Sequence, residues 1–335
     1  LSVQHLGTFS EDIPALALPA WVSRAKVTVT APSGVQWSGS ADEFAGYTYD
    51  QNGSYRLTLT AWHIAEETAE PEGWYAYCAD FTLQQQPKVA LSADRAVQGS
   101  VVALSLSGYL EGEPALQTDL GTVWFRKTQS GYMGYIPVTY NAESGVHTLA
   151  LSCGSFSQQL ELTVTSAQTS TVTVEEDTRT GAEEYRNNIW PLFTTGSAEK
   201  QWQGAFRAPS AAAVRMHYGD VQMVNGARAG QATGVAYRPA PDEAVTAPQT
   251  GKVLFAGTLQ LTGGTVVIDH GCGVKSYLYG LKTLAVQAGQ SVQTGDALGT
   301  ADALGVDYEL RIGSKTVDPE AAMTGRGGLQ FREYE

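Results

Sequence analysis

The sequence predicts a mostly β protein in which two Ig-like β-sandwiches precede a third β-rich domain. Apolar and polar side chains alternate with a period of two in Lys26–Thr30 and Tyr55–Thr60, which is the pattern of a strand with one buried face. Turn-forming residues separate such stretches, as in Asp50–Tyr55. The best candidate for a helix is Glu175–Asn188, a short segment that Gly181 interrupts. Closely spaced strands without a helical period are typical of consecutive β-sandwiches.

Changes in composition along the chain predict four parts. A Gln-rich stretch before Pro87 follows the first set of strands, and a polar stretch, Ser166–Thr173, follows the second set. From about Trp202 onward, glycines punctuate nearly every predicted turn. The predicted parts are an Ig-like sandwich at 1–86, a second Ig-like sandwich at 87–166, a linker with a short helix at 167–201, and a third β domain at 202–335.

Composition excludes several classes of protein. A content of 43% hydrophobic and 16% charged residues in 335 is that of a globular protein with real cores. The formal net charge of −13 argues against nucleic-acid binding, because nothing would neutralise a phosphate backbone. No apolar run approaches the roughly 20 residues that span a bilayer. Since the chain begins at Leu1, we expect a signal peptide or membrane anchor to precede it.

The three cysteines lie far apart, at Cys78, Cys153 and Cys272, without C-x-x-C spacing. This spacing excludes a zinc knuckle and a disulfide-dense scaffold. We expect three separate buried thiols, and one disulfide remains an open alternative.

An ordered series of segments in residues 202–319 carries a family resemblance. The segments are Trp202–Pro209, Tyr218–Asn225, Ala247–Gly257, Gly264–Asp269, Val286–Gly299, Asp307–Arg311 and Val317–Pro319. Together they resemble the lysostaphin/LytM-type zinc metallopeptidases, which cut peptide cross-bridges in bacterial cell walls. A hairpin like Val286–Gly299 also occurs in lipoyl and biotinyl carrier domains, but this one lacks their exposed tip lysine. The resemblance therefore implies an antiparallel β domain of the barrel-sandwich hybrid type.

The resemblance also implies where zinc ligands would lie. The family holds zinc with a His and an Asp spaced i, i+4 and with the last His of an H-x-H, which leaves a fourth position open for water. The family's His-x-Gly-x-Asp motif is centred here on Gly234, so its two ligand positions hold Ala232 and Ala236. The H-x-H precedes an aromatic-Glu-x-Arg pattern, which is present here as Tyr308–Arg311.

This second pattern places the H-x-H pair at Gly305 and Asp307, and the remaining catalytic His at Gly280. The family's catalytic positions, Gly280 and Gly305, are then vestigial, and so are its metal positions, Ala232, Ala236 and Asp307. A lone carboxylate does not hold Zn²⁺ usefully. The resemblance thus implies a pseudoenzyme that has lost the zinc cofactor expected in the family.

Other residues of this region offer little replacement chemistry. His217 lies upstream of the ligand motif, and His270 follows Asp269 at a predicted turn. Asp269-His270 resembles a catalytic dyad, but no G-x-S-x-G nucleophile motif accompanies it. Cys272 lies between two glycines without a nearby base motif. We interpret Asp269-His270 and Cys272 as parts of one turn.

Tyr277 and Tyr279 alternate with Leu278, so one face of that predicted strand is aromatic. One interpretation is a stacking wall in the old substrate groove, where Asp307 would also bind a ligand. The other interpretation, which we favour, is ordinary cross-strand packing.

These inferences predict a bacterial extracytoplasmic protein of the cell envelope or of the membrane-anchored cell surface. The leading hypothesis is an inactive LytM-like domain that binds peptidoglycan or an envelope protein, as a scaffold or regulator of wall remodelling. One alternative is an active zinc endopeptidase of cell-wall peptides with a rearranged site. Another is a structural surface spacer without a selective partner.

Overall fold

A computed structural model shows the mostly β fold that the sequence predicts. The chain divides into two compact units, Leu1–Lys88 and Val89–Glu335. The structure describes residues 2–10, 16–63, 73–325 and 327–331. Among these residues, no helix is both long and apolar enough to cross a membrane.

The first unit contains one five-stranded sheet. Its strands are β1 (Val3–Phe9), β2 (Arg24–Thr30), β3 (Gln36–Ser40), β4 (Gly53–His63) and β5 (Gly73–Leu83), with a short helix α1 (Ala41–Phe44) after β3. The spatial order is β1-β5-β4-β2-β3, with β1 parallel to β5 and the other neighbours antiparallel. One face carries a core that includes Val27, Tyr55 and Phe81. An Ig-like sandwich needs two facing sheets, so the Ig-like class of 1–86 is not confirmed.

The second unit begins with a two-layer β-sandwich. Its strands are β6 (Lys88–Leu91), β7 (Arg95–Val97), β8 (Val101–Ser107), β9 (Pro114–Gln117), β10 (Arg126–Lys127), β11 (Gly131–Pro137), β12 (Gly145–Cys153) and β13 (Phe156–Thr165). They form two sheets, ordered β10-β11-β8-β6 and β7-β13-β12-β9. Leu104 and Ile136 of the first sheet share one core with Leu149 and Leu162 of the second. The Ig-like class of this sandwich remains a prediction.

The remainder of the second unit holds a small sheet and a large one. Its strands are β14 (Thr171–Thr173), β15 (Val214–Met216), β16 (Val221–Val224), β17 (Ala227–Gln231), β18 (Val235–Tyr237), β19 (Ala244–Thr246), β20 (Gly251–Leu259), β21 (Gly263–Gly271), β22 (Val274–Leu284), β23 (Ser291–Val292), β24 (Ala297–Ala301), β25 (Val306–Ile312) and β26 (Lys315–Val317). The small sheet is β14-β16-β17, and the large sheet follows β15-β18-β25-β22-β21-β20-β23, with β19, β24 and β26 attached.

Short helices complete this region. They are α2 (Ala182–Ile189), a 3₁₀ turn at Trp190–Phe193, α3 (Pro319–Met323) and a 3₁₀ turn at Gly328–Gln330. The helix predicted at Glu175–Asn188 begins later in the structure, at Ala182. Gly181 caps α2 with a φ of 101°, a left-handed conformation that favours glycine, so the helix begins only after it.

The sandwich and the large sheet share a hydrophobic core. Ala103, Met133 and Tyr135 of the sandwich belong to the same buried cluster as Trp202 and Val274. The rings of Tyr135 and Trp202 lie 5.2 Å apart between centroids. These two regions are therefore one packed body.

The Gly271-Cys272-Gly273 turn between β21 and β22 lies at this junction. All three residues have positive φ, and a β-carbon on Gly271 would come 1.7 Å from the carbonyl oxygen of Glu199. A β-carbon on Gly273 would meet the ring of Trp124 at 3.0 Å. Close packing on both sides explains why glycine flanks Cys272 here.

Candidate functional site

Three neighbouring strands of the large sheet place the predicted metal positions side by side. Ala236 on β18 lies directly opposite Asp307 on β25. On its other side, Asp307 lies opposite Tyr279 on β22. Directly opposed residues of antiparallel strands project to the same face. Ala236, Asp307 and Tyr279 therefore form one row across the sheet.

This row borders a small recess, which we call the Asp307 recess, with a volume of about 170 Å³. Its lining residues are Met216, Gln222, Gln231, Ala232, Thr233, Gly234, Val235, Ala236, Tyr279, Asp307 and Glu309. The structure thus brings together Ala232, Ala236 and Asp307, the three residues that the resemblance places at the family's metal positions.

Gly280 and Gly305, which the resemblance places at the family's catalytic positions, are not among the lining residues. They lie against each other, Gly280 within β22 and Gly305 directly before β25. Their φ values are 79° and 108°. A β-carbon on Gly280 would lie 2.2 Å from the carbonyl oxygen of Gly305. The backbone therefore leaves no room for the imidazole that the family resemblance places at position 280.

The donor groups of the Asp307 recess do not fit zinc. Ala232 and Ala236 contribute only methyl groups, and Asp307 contributes one carboxylate. Zinc in peptidases needs three protein ligands, mostly neutral imidazole, around an open position. Across the part of the chain that the structure describes, no three His, Cys, Asp or Glu side chains come together to hold a metal ion.

Asp307 is held by an arginine rather than left free. Its Oδ1 lies 3.6 Å from a terminal nitrogen of Arg215, and half of its side chain remains accessible to solvent. The surrounding protein removes water from the carboxylate and raises its pKa, an effect larger than the opposing attraction of Arg215. Asp307 is therefore a half-exposed carboxylate that a ligand in the recess can reach.

Glu309, two residues further along β25, accepts hydrogen bonds from several side chains. It accepts hydrogen bonds from the Thr233 hydroxyl, from the Tyr279 hydroxyl at 3.2 Å and from Nε of Arg311 at 2.8 Å. The Tyr279 hydroxyl also lies 2.9 Å from the hydroxyl of Tyr185 on α2. Glu309 is buried in this network, and both of its oxygens accept hydrogen bonds from the protein.

The segment of residues 182–193, which combines α2 and its 3₁₀ turn, covers the same face of the sheet beside the recess. We call it the covering segment. Its Ile189 is fully buried against Val267, Tyr277 and Tyr279. The ring of Phe193 lies 6.0 Å from that of Tyr277. The predicted linker is therefore partly an integral layer of the fold.

The covering segment bears on the two interpretations of the aromatic strand face at Tyr277 and Tyr279. Tyr277 has no exposed surface, so it packs under the covering segment and cannot stack on a ligand in a groove. Tyr279 does line the Asp307 recess, but its hydroxyl is engaged by Tyr185 and Glu309. The interpretation as cross-strand packing is the one that the geometry of Tyr277 supports.

Sequence reasoning missed the covering segment, although a signal was present. Tyr185, Ile189 and Phe193 recur every four residues, which is the spacing of an apolar stripe on one side of a helix. Such a stripe must be buried somewhere, and the aromatic face of β22 is where it lies.

Asp269 and His270 do not form a catalytic dyad. Nδ1 of His270 donates to the carbonyl of Thr250 at 2.8 Å, and its Nε2 lies 2.7 Å from the hydroxyl of Ser276. Complete burial lowers the pKa of His270 to about 4, so the ring is neutral. Asp269 accepts from the backbone N–H of Ser197 at 2.7 Å and ties down the preceding loop.

The other candidate groups are also structural. Cys78, Cys153 and Cys272 are all free thiols. Cys272 donates from Sγ to the carbonyl of Ala198 at 3.2 Å, and burial raises its pKa to about 12, so it is no nucleophile at neutral pH. His217 lies 2.7 Å from Glu320 on α3 and outside the lining of the Asp307 recess.

Comparison with known proteins confirms the family resemblance. Residues 230–319 match the sequence profile of Peptidase family M23, so the chain carries an M23-type (LytM-type) domain there. No curated protein matches the chain. The structure is similar to a putative peptidase M23 from Pseudomonas aeruginosa, with a TM-score of 0.52 and 19% identity over 68% of this chain and 94% of that one.

Two further solved structures are similar to about a third of the chain. One is from the SpoIIQ-SpoIIIAH pore forming complex, with a TM-score of 0.32 and 17% identity over 36% of this chain and 91% of that one. The other is the catalytic domain of the prophage-encoded M23 protein EnpA from Enterococcus faecalis, with a TM-score of 0.30 and 21% identity over 35% and 95%. At such identities the likeness to the Pseudomonas aeruginosa structure shows the fold alone.

Proposed function

We propose that this protein is a non-catalytic component of the bacterial cell envelope whose M23-type domain binds a peptidoglycan peptide or an envelope protein. One observation carries the proposal. In the Asp307 recess, the three predicted metal positions supply two methyl groups, from Ala232 and Ala236, and one carboxylate that Arg215 already accompanies. A zinc peptidase needs bound zinc to activate water and to polarise the peptide carbonyl, and these residues do not supply its ligands.

The covering segment supports the same conclusion. An extended peptide substrate would have to lie along the sheet face that carries Asp307. Ile189 and Phe193 already occupy the adjoining part of that face, over Tyr277. The hydrogen bond from the backbone N–H of Gln260 to Glu184, at 2.8 Å, holds α2 in place.

The size of the Asp307 recess indicates what it can accept. Its volume of about 170 Å³ is below the range of about 300–1,000 Å³ that is usual for small-molecule sites. It therefore fits one inserted side chain of a peptide or protein. Asp307 would accept a hydrogen bond from that side chain, and the methyl groups of Ala232 and Ala236 would contact its apolar part.

Restoring the metal ligands tests the loss of catalysis. The triple variant Ala232→His, Ala236→Asp and Asp307→His is expected to bind one zinc ion per chain, measured by calorimetric titration and by metal analysis after dialysis. The matched control, Ala232→Gln, Ala236→Asn and Asp307→Asn, is expected to bind none. One zinc per chain in the unaltered protein, or release of new amino termini from peptidoglycan, would refute the proposal.

Filling the recess tests the binding part. Chemical-shift changes in ¹⁵N spectra, on titration with purified muropeptides or with tripeptides that carry a central lysine, are expected at Ala236 and Asp307. Ala232→Leu should abolish these changes, because it fills the recess. Ala227→Leu, at an exposed site on β17, serves as the control and should leave them intact. If the same chemical-shift changes appear in the Ala232→Leu variant, the recess does not bind the peptide.

A further inference from the structure

The sheet of the first unit presents one polar face to solvent. On β2, Val27 and Val29 are fully buried, whereas Arg24 and Lys26 project to the opposite side and are exposed. The same alternation continues on β4, where Tyr55 is buried between exposed neighbours. We define the open face as every second residue of β2 from Arg24 and of β4 from Ser54, with their partners on the adjacent strands.

Positive charge is concentrated on the open face. Residues 1–88 contain ten Asp and Glu but four Lys and Arg, and three of these four cations, Arg24, Lys26 and Arg56, lie on it. Among the described strand residues of this face, the only carboxylate is Asp80. Arg56 binds it through two hydrogen bonds, of 2.7 and 2.8 Å. The open face therefore carries excess positive charge within an acidic unit.

One end of the open face carries two tryptophans. Trp62 lies directly opposite Arg24 on one side and Trp74 on the other. The guanidinium of Arg24 lies 4.4 Å from the centre of a Trp62 ring, and Trp74 is 65% exposed. Aromatic side chains on a sheet offer apolar surfaces with little conformational freedom to lose on binding.

Hydroxyl groups fill the middle of the open face, and a recess lies at its other end. Thr58 lies opposite Thr28, and the hydroxyl of Thr28 is 2.7 Å from that of Ser38. The recess, of about 570 Å³, is lined by His5 and Arg56 together with Asp80 and several Thr residues. This volume falls within the range of about 300–1,000 Å³ that is usual for ligand sites.

The chemistry of the open face selects among possible ligands. A stable protein interface has an apolar centre, whereas the centre here is Thr and Ser. A nucleic acid would need many more cations than Arg24, Lys26 and Arg56. Arg24 and Lys26 are two residues apart on one strand, which separates them by roughly 7 Å, and Arg56 lies on the neighbouring strand. Cations spaced in this way fit single charges spread along a polymer. A phosphate group would instead require donors that converge on one point.

We propose that the open face binds a polysaccharide that carries carboxylates. Trp74 stacks on a sugar ring, the Thr and Ser rows bind sugar hydroxyls, and Arg24 and Lys26 pair with the carboxylates. This binding activity is independent of the Asp307 recess, which lies in the other unit.

Titration calorimetry of the complete chain with polygalacturonate oligosaccharides tests the proposal. We expect binding that weakens as salt is raised, while neutral dextran does not bind. The double variant Arg24→Gln, Lys26→Gln should bind about tenfold more weakly, equivalent to about 1.4 kcal/mol. Trp74→Ala should also weaken binding, and because its side chain is largely exposed it should leave the fold intact.

The charge-matched control is the double variant Lys88→Gln, Lys252→Gln. Both side chains lie off the open face, so this variant should bind polygalacturonate as tightly as the unaltered protein. Arg24→Lys keeps the charge and should retain most of the affinity. No binding of polygalacturonate, equal binding of dextran, or an equal loss in the control would overturn the proposal. Binding of polyphosphate without binding of polygalacturonate would overturn it as well.

Discussion

The sheet of the first unit, antiparallel except for β1, and the large antiparallel sheet of the second unit differ in how many faces they bury. In β2, buried and non-buried residues alternate strictly. In β21, every residue from Gly264 to Gly271 is buried, and in β22 the six residues from Val274 to Tyr279 are all buried. A sheet with both faces covered has no need of alternation.

The difference teaches that residue type alone does not locate function. The covered sheet carries His270, Lys275, Glu309 and Arg311, whose residue types are common in active sites. Each is held in packing or in internal hydrogen bonds. The open face carries simpler residues, Thr, Arg and Trp, and these are the ones that a ligand can reach.

The largest effect is expected from matched tyrosine truncations on the two sheets. Tyr277→Ala removes a ring with no exposed surface and should lower the free energy of unfolding by about 4 kcal/mol. Tyr77→Ala removes a ring that is 55% exposed and should change it by less than about 0.5 kcal/mol. Urea unfolding followed by hydrogen–deuterium exchange reports the two sheets separately. Equal losses would contradict the contrast between them.

A matched pair of ion-pair variants should show the next largest effect. Arg311 and Glu309 form a pair in which both side chains are nearly buried, so Arg311→Gln leaves a buried carboxylate without its charge partner. We expect a loss of about 3 kcal/mol. Arg56→Gln breaks an exposed pair with Asp80 and should leave the urea midpoint unchanged. A larger loss of unfolding free energy from Arg56→Gln than from Arg311→Gln would contradict the claim that the large sheet buries both faces and the sheet of the first unit only one.

Lys275 makes the covered sheet sensitive to pH. Its side chain is fully buried, with Nζ 4.5 Å from the centre of the Trp124 ring, and in the described part of the structure Nζ has no hydrogen-bond partner. Burial lowers its pKa to about 8 from the ordinary 10.5. Between pH 8 and pH 10.5 the unfolded chain binds more protons than the folded protein. The destabilisation that comes from burying the charged Lys275 is therefore fully present below pH 8 and disappears as pH rises to 10.5.

The difference in unfolding free energy between Lys275→Met and the unaltered protein measures this penalty. The variant should be more stable at pH 7, and its advantage should shrink by about 2 kcal/mol between pH 7 and pH 10. Lys252→Met, at an exposed position on β20, is the control and should show no such trend. A constant advantage across this range would show that Lys275 has an ordinary pKa.

The smallest effect separates two buried tyrosine hydroxyls on β22. Tyr279→Phe removes a hydroxyl that bonds both Tyr185 and Glu309 and should cost about 1 kcal/mol. The hydroxyl of Tyr277 is buried and has no hydrogen-bond partner among the described residues, so Tyr277→Phe should be neutral or slightly stabilising. Equal costs for the two variants would indicate that the Tyr277 hydroxyl has a partner, such as a water molecule.

Local patterns in the sequence were sufficient for the fold class and for the family of the third domain. The alternation of β2 and β4, and the ordered segments from Trp202 to Pro319, depend on residues close together in the chain. The same segments assigned Ala232, Ala236 and Asp307 to one site, and all three line one recess. Their methyl and carboxylate groups, which decide what the recess can bind, are properties of the sequence itself.

Only the tertiary structure decided what lies against these groups. Tyr185 meets Tyr279 across 94 residues of chain, and Tyr135 of the sandwich packs on Trp202 of a region predicted to be separate. The length of a segment that looks like a linker does not reveal whether it will lie on a sheet. That choice depends on whether burial of Ile189 and Phe193 outweighs the entropy lost by ordering the segment. This balance is settled by surfaces that meet only in the folded protein.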